Sequence, residues 1–160
     1  MSRRRRAREV VMQLLYRDDL NKIGSPDDDE QFLARRLNNN QQLIRFADNI
    51  LQGVRQRRDE IDQQLEATTE NWRLSRMAAT DRNVMRIAAW EILFGDTPNR
   101  VAINEAIELA KRYGDARSSQ FVNGVLDKLM RDATSSDQRA DSADPDRPEV
   151  SMDAGQSPEA

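Results

Sequence analysis

Two apolar stripes between residues 101 and 129 constrain the fold of this 160-residue chain more than any other feature. Their members recur at three- and four-residue spacing, so each stripe predicts one face of an α-helix. Gly114 follows the first stripe and predicts a left-handed cap, and Ser118 or Ser119 can start the second helix by accepting hydrogen bonds from its free amides. About four residues join the two helices, which predicts an antiparallel hairpin. The stripes comprise Val101, Ala102, Ile103, Ala106, Ile107 and Ala110, then Phe121, Val122, Val125, Leu126 and Leu129.

The apolar residues before the hairpin also recur at helical spacing. It predicts an N-terminal helix of about 18 residues, a short helix near residues 32–37, a helix of roughly 25 residues over 43–65, and a central, most buried helix from Thr80, its N-cap, to Phe94. Six glycines and few β-branched runs favour an all-α fold. We therefore expect a compact helical bundle over residues 1–132, in two packed subdomains over about 1–68 and 69–132. A disordered acidic tail is expected over 133–160.

The net charge of −3 conceals two segments of opposite sign. Residues 133–160 hold seven acidic residues and two arginines, so residues 1–132 carry a net charge of +2. Of the 25 basic residues, 22 are arginines, which suit bidentate contacts with phosphate, although genome composition also produces such a bias. The body of the chain is therefore basic even though the whole chain is acidic.

Composition excludes several classes of protein. The absence of cysteine and histidine excludes disulfides, thiol catalysis and the commonest zinc sites. No apolar run approaches the roughly 20 residues that a membrane helix needs. The charged N-terminus lacks the apolar segment of a secretory signal. We expect a cytoplasmic protein that uses no metal, cofactor or membrane partner.

Five of the first eight residues are arginines, and they lead directly into the first apolar stripe. One interpretation is a solvated, disordered terminus. The other is a phosphate-binding arm that attracts a polyanion, with Tyr16 stacking on a base. The residues alone leave both open. The arginines are Arg3, Arg4, Arg5, Arg6 and Arg8.

Several stretches, in this order along the chain, resemble the NusB family of transcription antitermination factors. They read RRRARE at residues 4–9, QLLY at 13–16, DRNVMRIAAWEIL at 81–93, VAINEAIELAK at 101–111 and FVNGVLDK at 121–128. The resemblance covers residues 3–130. It implies an all-α, NusB-like fold in which the N-terminal helix packs between two subdomains.

The same resemblance implies a non-catalytic function. It implies binding of boxA, a single-stranded RNA element in nascent ribosomal RNA leader transcripts. It also implies pairing with NusE, a small-subunit ribosomal protein. The pair would join NusA, NusG and RNA polymerase, so that transcription passes terminators.

The family's functional positions can be placed on this chain. The implied RNA-binding residues are Arg4, Arg5, Arg6, Arg8, Gln13, Tyr16, Tyr113, Arg117, Phe121 and Asn123. The implied NusE-facing residues are Asp81, Arg82 and Met85, whereas Gly124 is expected to allow a close approach between helices. This assignment requires the N-terminal arginines and the tip of the hairpin to lie side by side.

Two other functions compete with the adaptor. NusB-like domains also form the RNA-binding part of some ribosomal RNA cytosine methyltransferases, but that reading needs a Rossmann-like domain for which 160 residues leave no room. A helical protein-interaction module, whose arginines meet an acidic protein, is the second alternative. Glu91, which lies among apolar residues, is interpreted as a structural partner of Arg86 or of a helix end in preference to a catalytic carboxylate.

Overall fold

Seven α-helices and one short 3-10 helix make up the computed structural model of this chain, which describes residues 2–20, 24–69 and 73–142. No strand occurs in these ranges, so the predicted all-α fold is confirmed. The elements are α1 (Arg3–Asp19), α2 (Pro26–Arg36), α3 (Gln41–Gln56), α4 (Arg58–Ala67), the 3-10 helix (Leu74–Arg76), α5 (Ala79–Phe94), α6 (Asn99–Tyr113) and α7 (Ser118–Ser142).

Side-chain caps fix the starts of the first three helices. The Ser2 hydroxyl accepts a hydrogen bond from the amide of Arg5 at the start of α1. Ser25 and Asp28 form a reciprocal capping box at the start of α2. Asn40 caps α3. The prediction of Thr80 as the cap of α5 is wrong, because Ala78 occupies that position and makes no side-chain cap.

The predicted helix over residues 43–65 is two helices. The chain bends at Arg57, where φ is −116° and ψ is 21°, so that α3 ends and α4 begins around this residue. Val54 and Ile61 are fully buried on either side of the bend. The apolar stripe therefore continues into α4, and neither glycine nor proline stands at the bend to reveal it.

α5 is the central helix, as its apolar residues predict. It packs against α1, α3, α4, α6 and α7. α1 packs against α2 and α3 on one side and against α5 on the other, so it lies between the two halves of the chain. Buried side chains from all seven helices form one continuous core.

The helical hairpin forms as predicted, with residues 114–117 between α6 and α7. Gly114, however, has a φ of −96° and is not left-handed. The position requires glycine for a different reason, because a Cβ there would lie 2.4 Å from the hydroxyl oxygen of Ser118 and 2.8 Å from the carbonyl oxygen of Ala110. α7 continues to Ser142, into the segment expected to be a tail, since neither glycine nor proline occurs between residues 125 and 144. The rest of that segment lies outside the described residues.

Two glycines inside helices have opposite surroundings. A Cβ at Gly53 would lie 2.2 Å from the indole ring of Trp90, so this glycine permits close packing of α3 on α5. A Cβ at Gly124 would meet nothing within 4 Å. The expected close helix approach at Gly124 is therefore wrong, and Gly53 provides it.

This contrast predicts opposite effects of the same substitution. Gly53→Ala should destabilise the fold by about 1–3 kcal/mol, because the added methyl group overpacks a rigid ring. Gly124→Ala should stabilise it by about 0.5–1 kcal/mol, because alanine favours the helix. Urea unfolding followed by circular dichroism measures both changes. Destabilisation by Gly124→Ala, or none by Gly53→Ala, would contradict this packing.

Candidate nucleic-acid interface

The N-terminal arginines project in different directions, because they belong to the first turns of α1. Arg4 is exposed and lies 4.8 Å from the centre of the Phe46 ring. Arg5 donates two hydrogen bonds, of 2.8 and 3.2 Å, to the carboxylate of Glu105 on α6. Consecutive helical residues point about 100° apart, so neighbouring arginines face different directions, whereas arginines three or four residues apart lie on the same side of the helix.

Arg8 lies inside the protein. Its guanidinium donates to the carboxylate of Glu91 at 2.9–3.2 Å, and the two side chains are 3% and 1% exposed. Thr97 also donates to Glu91, at 3.3 Å. Arg8 thus cannot reach a phosphate from this position. Glu91 has the structural role expected of it, but its partner is Arg8, whereas Arg86 pairs with Asp62 and Asp19.

Removing Arg8 should therefore lower the stability of the fold directly, and it should affect ligand binding only through the fold. Arg8→Ala leaves the buried carboxylate of Glu91 without its ion pair, and we expect a loss of about 3–5 kcal/mol of stability. Arg4→Ala, four residues earlier and exposed, is the matched control, with an expected loss of at most about 1 kcal/mol from its ring contact. Chemical denaturation measures both. Equal losses would contradict the burial of Arg8.

A buried carboxylate joins the start of α1 to the end of α6. Glu9 accepts hydrogen bonds from the guanidinium of Arg6, at 3.0 Å, and from the hydroxyl of Tyr113. The guanidinium of Arg112 lies 3.8 Å from the other carboxylate oxygen. We call Arg6, Glu9, Arg112 and Tyr113 the Glu9 cluster. It places the N-terminal arginines beside the end of α6.

The Glu9 cluster determines the protonation state of Tyr113. Burial and the hydrogen bond to the Glu9 carboxylate both raise the pKa of Tyr113, so the hydroxyl stays protonated and donates. No sequence motif indicated a role for Glu9. Its position three residues after Arg6 is the one local signal that could have indicated it.

Two predicted RNA-binding residues lie further along α1. The side-chain oxygen of Gln13 accepts a hydrogen bond of 2.7 Å from Arg36 on α2. Tyr16 is 41% exposed and is one of three large hydrophobic side chains in the described ranges that are exposed to this extent. Its ring is therefore open to a planar ligand.

The start of α7 carries the other predicted residues, and they lie beside a predicted partner residue. Arg117 and Phe121 line a groove of about 450 Å³ together with Asp81 and Met77. Arg117 is exposed and Phe121 is half-buried, while Asn123 is exposed on the next turn of α7. The structure thus brings Tyr113 to the N-terminal arginines but Arg117 and Phe121 to the groove beside Asp81.

The three predicted NusE-facing residues differ in exposure. Asp81 is half-buried, and its carboxylate accepts a 2.8 Å hydrogen bond from the hydroxyl of Ser118. Arg82 is half-buried and donates to Asp19 at 3.0–3.1 Å. Met85 is fully buried, because its side chain points into the core below α5, and it cannot contact a partner in this conformation.

The described residues contain no group of three acidic side chains that could hold a metal ion. Among the same residues, no helix is long and apolar enough to span a membrane. The fold and the site together define a small all-α protein with an arginine-rich surface beside a helical hairpin.

Comparison with known proteins identifies the family. The model of the NusB family matches residues 5–131. The transcription antitermination protein NusB of Anaeromyxobacter dehalogenans is 46% identical over 128 residues, which are 80% of this chain and 90% of that protein. The protein of the same name from Desulfitobacterium hafniense is 40% identical over 140 residues, with 85% and 93% covered. This chain therefore belongs to the NusB family and is a non-catalytic transcription antitermination factor.

Solved structures support the same fold. The structure of T. maritima NusB is similar, with 34% identity and a TM-score of 0.73, over 86% of this chain and 96% of that chain. NusB in a complex with NusE and double-stranded RNA is also similar, with 23% identity and a TM-score of 0.73, over 82% and 98%. The second likeness establishes the fold alone.

Proposed function

We propose that this protein binds the boxA element of nascent ribosomal RNA leader transcripts together with NusE. The pair would join NusA, NusG and RNA polymerase in the cytoplasm and promote processive transcription. Family membership supports this function, as does a solved complex of the same fold that holds NusB, NusE and RNA. The observation that carries the proposal is the Glu9 cluster, which holds cationic and aromatic side chains from α1 and α6 together.

The arginines that remain accessible would bind the RNA phosphates. Arg4 is exposed, and Arg5 and Arg6 are half-buried with one carboxylate partner each. A guanidinium with five N–H donors can keep such a partner and still contact a phosphate. Arg8 is left with a positioning role, because its pair with Glu91 holds α1 against α5.

Base binding falls to the aromatic side chains. Tyr16 offers an exposed ring for stacking, while Tyr113 is oriented by Glu9. Stacking on aromatic rings binds unpaired bases in single-stranded RNA. Asn123 would continue the RNA surface along α7, and Gln13 would continue it along α1. Arg117 and Phe121 line the groove beside Asp81, so they would contact RNA at its border with NusE.

Binding of boxA RNA, compared with a scrambled RNA of equal length, tests the function. The wild-type protein should prefer boxA, and its affinity should fall as salt rises. Tyr16→Ala should weaken boxA binding by roughly 5- to 150-fold, the value of about 1–3 kcal/mol for one stacked base. Leu20→Ala removes an apolar side chain that is also exposed (54%), at the C-cap of the same helix, and it should change little.

Three results would contradict this proposal. Equal binding of both RNAs by the wild-type protein would leave only nonspecific electrostatic attraction. Equal effects of Tyr16→Ala and Leu20→Ala would remove Tyr16 from the interface. Binding to an acidic protein without any RNA affinity would favour a protein-interaction module instead.

We further propose that NusE contacts the groove beside Asp81, with Arg82 as a partly covered neighbour. Asp81 supplies a half-buried carboxylate that lines this groove, and one of its oxygens is buried without a hydrogen-bond partner among the described residues. Met77, which also lines the groove, adds an apolar contact that the sequence did not indicate. A basic, partly apolar surface on NusE would complement this groove.

Asp81→Asn removes the charge and keeps the shape of the side chain. We expect it to weaken pairing with NusE by roughly 2- to 10-fold, the value of about 0.5–1.5 kcal/mol for one hydrogen bond. Asp59→Asn removes the same charge from an exposed position on α4 and serves as the control. Calorimetric titration measures pairing, and thermal unfolding checks that the bond to Ser118 is retained. Equal affinities of the two variants for NusE would place the contact elsewhere.

A further inference from the structure

An open depression of about 580 Å³ lies between the start of α1 and the connection from α2 to α3. Arginines from two helices surround it, and none of its lining residues is acidic. We call it the α1–α2 basin. Its lining residues are Ser2, Arg3, Arg6, Arg35, Arg36, Leu37, Asn38, Asn40 and Leu43.

Most of the positive charge in the basin is not neutralised within the protein. Arg3 and Arg35 are exposed, and neither forms an ion pair with any described residue. Arg36 donates to the neutral amide of Gln13 and lies 5.4 Å from the centre of the Phe32 ring. Only Arg6 has a carboxylate partner, Glu9. The basin therefore presents three unpaired guanidinium groups around one concave surface.

The helix dipoles act differently on the two sets of basin arginines: Arg35 and Arg36 lie in the last turn of α2, where a cation is favoured. The arginines of α1 occupy its first turn, where the helix dipole disfavours a cation by about 0.3–1 kcal/mol each. Two consecutive left-handed residues, Asn38 (φ 52°) and Asn39 (φ 54°), turn the chain sharply after α2, and the residues that follow the turn line the basin beside Arg35 and Arg36. A bound anion would remove the repulsion and would interact favourably with the start of α1.

The basin is continuous with the proposed RNA surface. Arg6 lines the basin and also belongs to the Glu9 cluster. We propose that the α1–α2 basin binds backbone phosphates of the RNA, immediately beside the segment bound by the Glu9 cluster. This inference rests on the proposed function, because it extends the path of the same RNA. It assigns Arg3 and Arg35 as phosphate-binding residues that the family motifs did not indicate.

The double variant Arg3→Ala/Arg35→Ala tests the basin with boxA RNA that carries flanking nucleotides on both sides. Loss of two phosphate contacts should weaken binding several-fold at low salt. It should also make the slope of log K against log salt shallower by about 1.4, since each contact contributes about 0.7 for a single strand. Arg3→Lys/Arg35→Lys, which keeps both charges, should retain most of the slope.

The matched control is Arg45→Ala/Arg100→Ala. These two arginines are also exposed, lie on α3 and α6, and do not line the basin. The control removes the same net charge as the test variant. Because its arginines lie outside the basin and would contact no phosphate there, it should leave the salt slope unchanged. If the two alanine variants lose the same affinity and slope, the effect is general electrostatics and the basin is not a phosphate site.

The remaining outcomes distinguish a failure of the basin proposal from a failure of the proposed function. A wild-type protein that does not distinguish boxA from scrambled RNA overturns the proposed function and, with it, this inference. A boxA preference that Tyr16→Ala weakens and Arg3→Ala/Arg35→Ala does not would overturn the basin alone. Unchanged RNA binding with loss of NusE pairing would assign the basin to the protein partner and also overturn the inference.

Discussion

The arrangement of the helices depends on one carboxylate at the end of α1, that of the half-buried residue Asp19, whose side chain is 6% exposed. Asp19 accepts hydrogen bonds of 2.7–3.1 Å from Arg58 on α4 and from Arg82, Asn83 and Arg86 on α5. Burial by itself would raise the pKa of Asp19, but these donors outweigh it and hold the pKa below its ordinary value. A buried charge is tolerated only with such partners, so the end of α1 has a single favourable position against α4 and α5.

The start of α1 is fixed in the same way by one buried charge of each sign, Arg8 and Glu9. The pair of Arg8 with Glu91 holds it to α5, and Glu9 holds it to α6 through Tyr113. About 16 Å of α1 separates these two sets of contacts, since Arg8 and Asp19 are 11 residues apart and each residue adds about 1.5 Å. Because both ends are held, the helix cannot rotate about its axis, and the direction of every arginine on its surface is determined. The geometry of the proposed RNA surface is thus determined by buried ion pairs and not by the exposed residues themselves.

This dependence explains what the sequence could and could not predict. The hairpin and the central position of α5 follow from apolar spacing, which is a local property of the chain. Arg8 lies three residues before Val11 and seven before Leu15, so the same spacing places it on the apolar face, but its partner Glu91 is 83 residues later and no local pattern indicates that pair. The bend at Arg57 has no local signal either. Met85 is a different case, because α5 is apolar on several faces and its burial could have been inferred from that pattern alone.

An arginine-rich terminus therefore offers fewer ligand-binding groups than its composition suggests. Arg8 stabilises the fold through its ion pair with Glu91. Arg5 and Arg6 form ion pairs with Glu105 and Glu9. A flexible arm would keep all five charges but would bind any polyanion with little preference, since its charges have no fixed spacing. Arginines held on a rigid helix lose some attraction but keep defined distances to each other and to Tyr113. Selection of one RNA over another needs that geometry, because phosphates position a strand and only fixed neighbouring groups can read its bases.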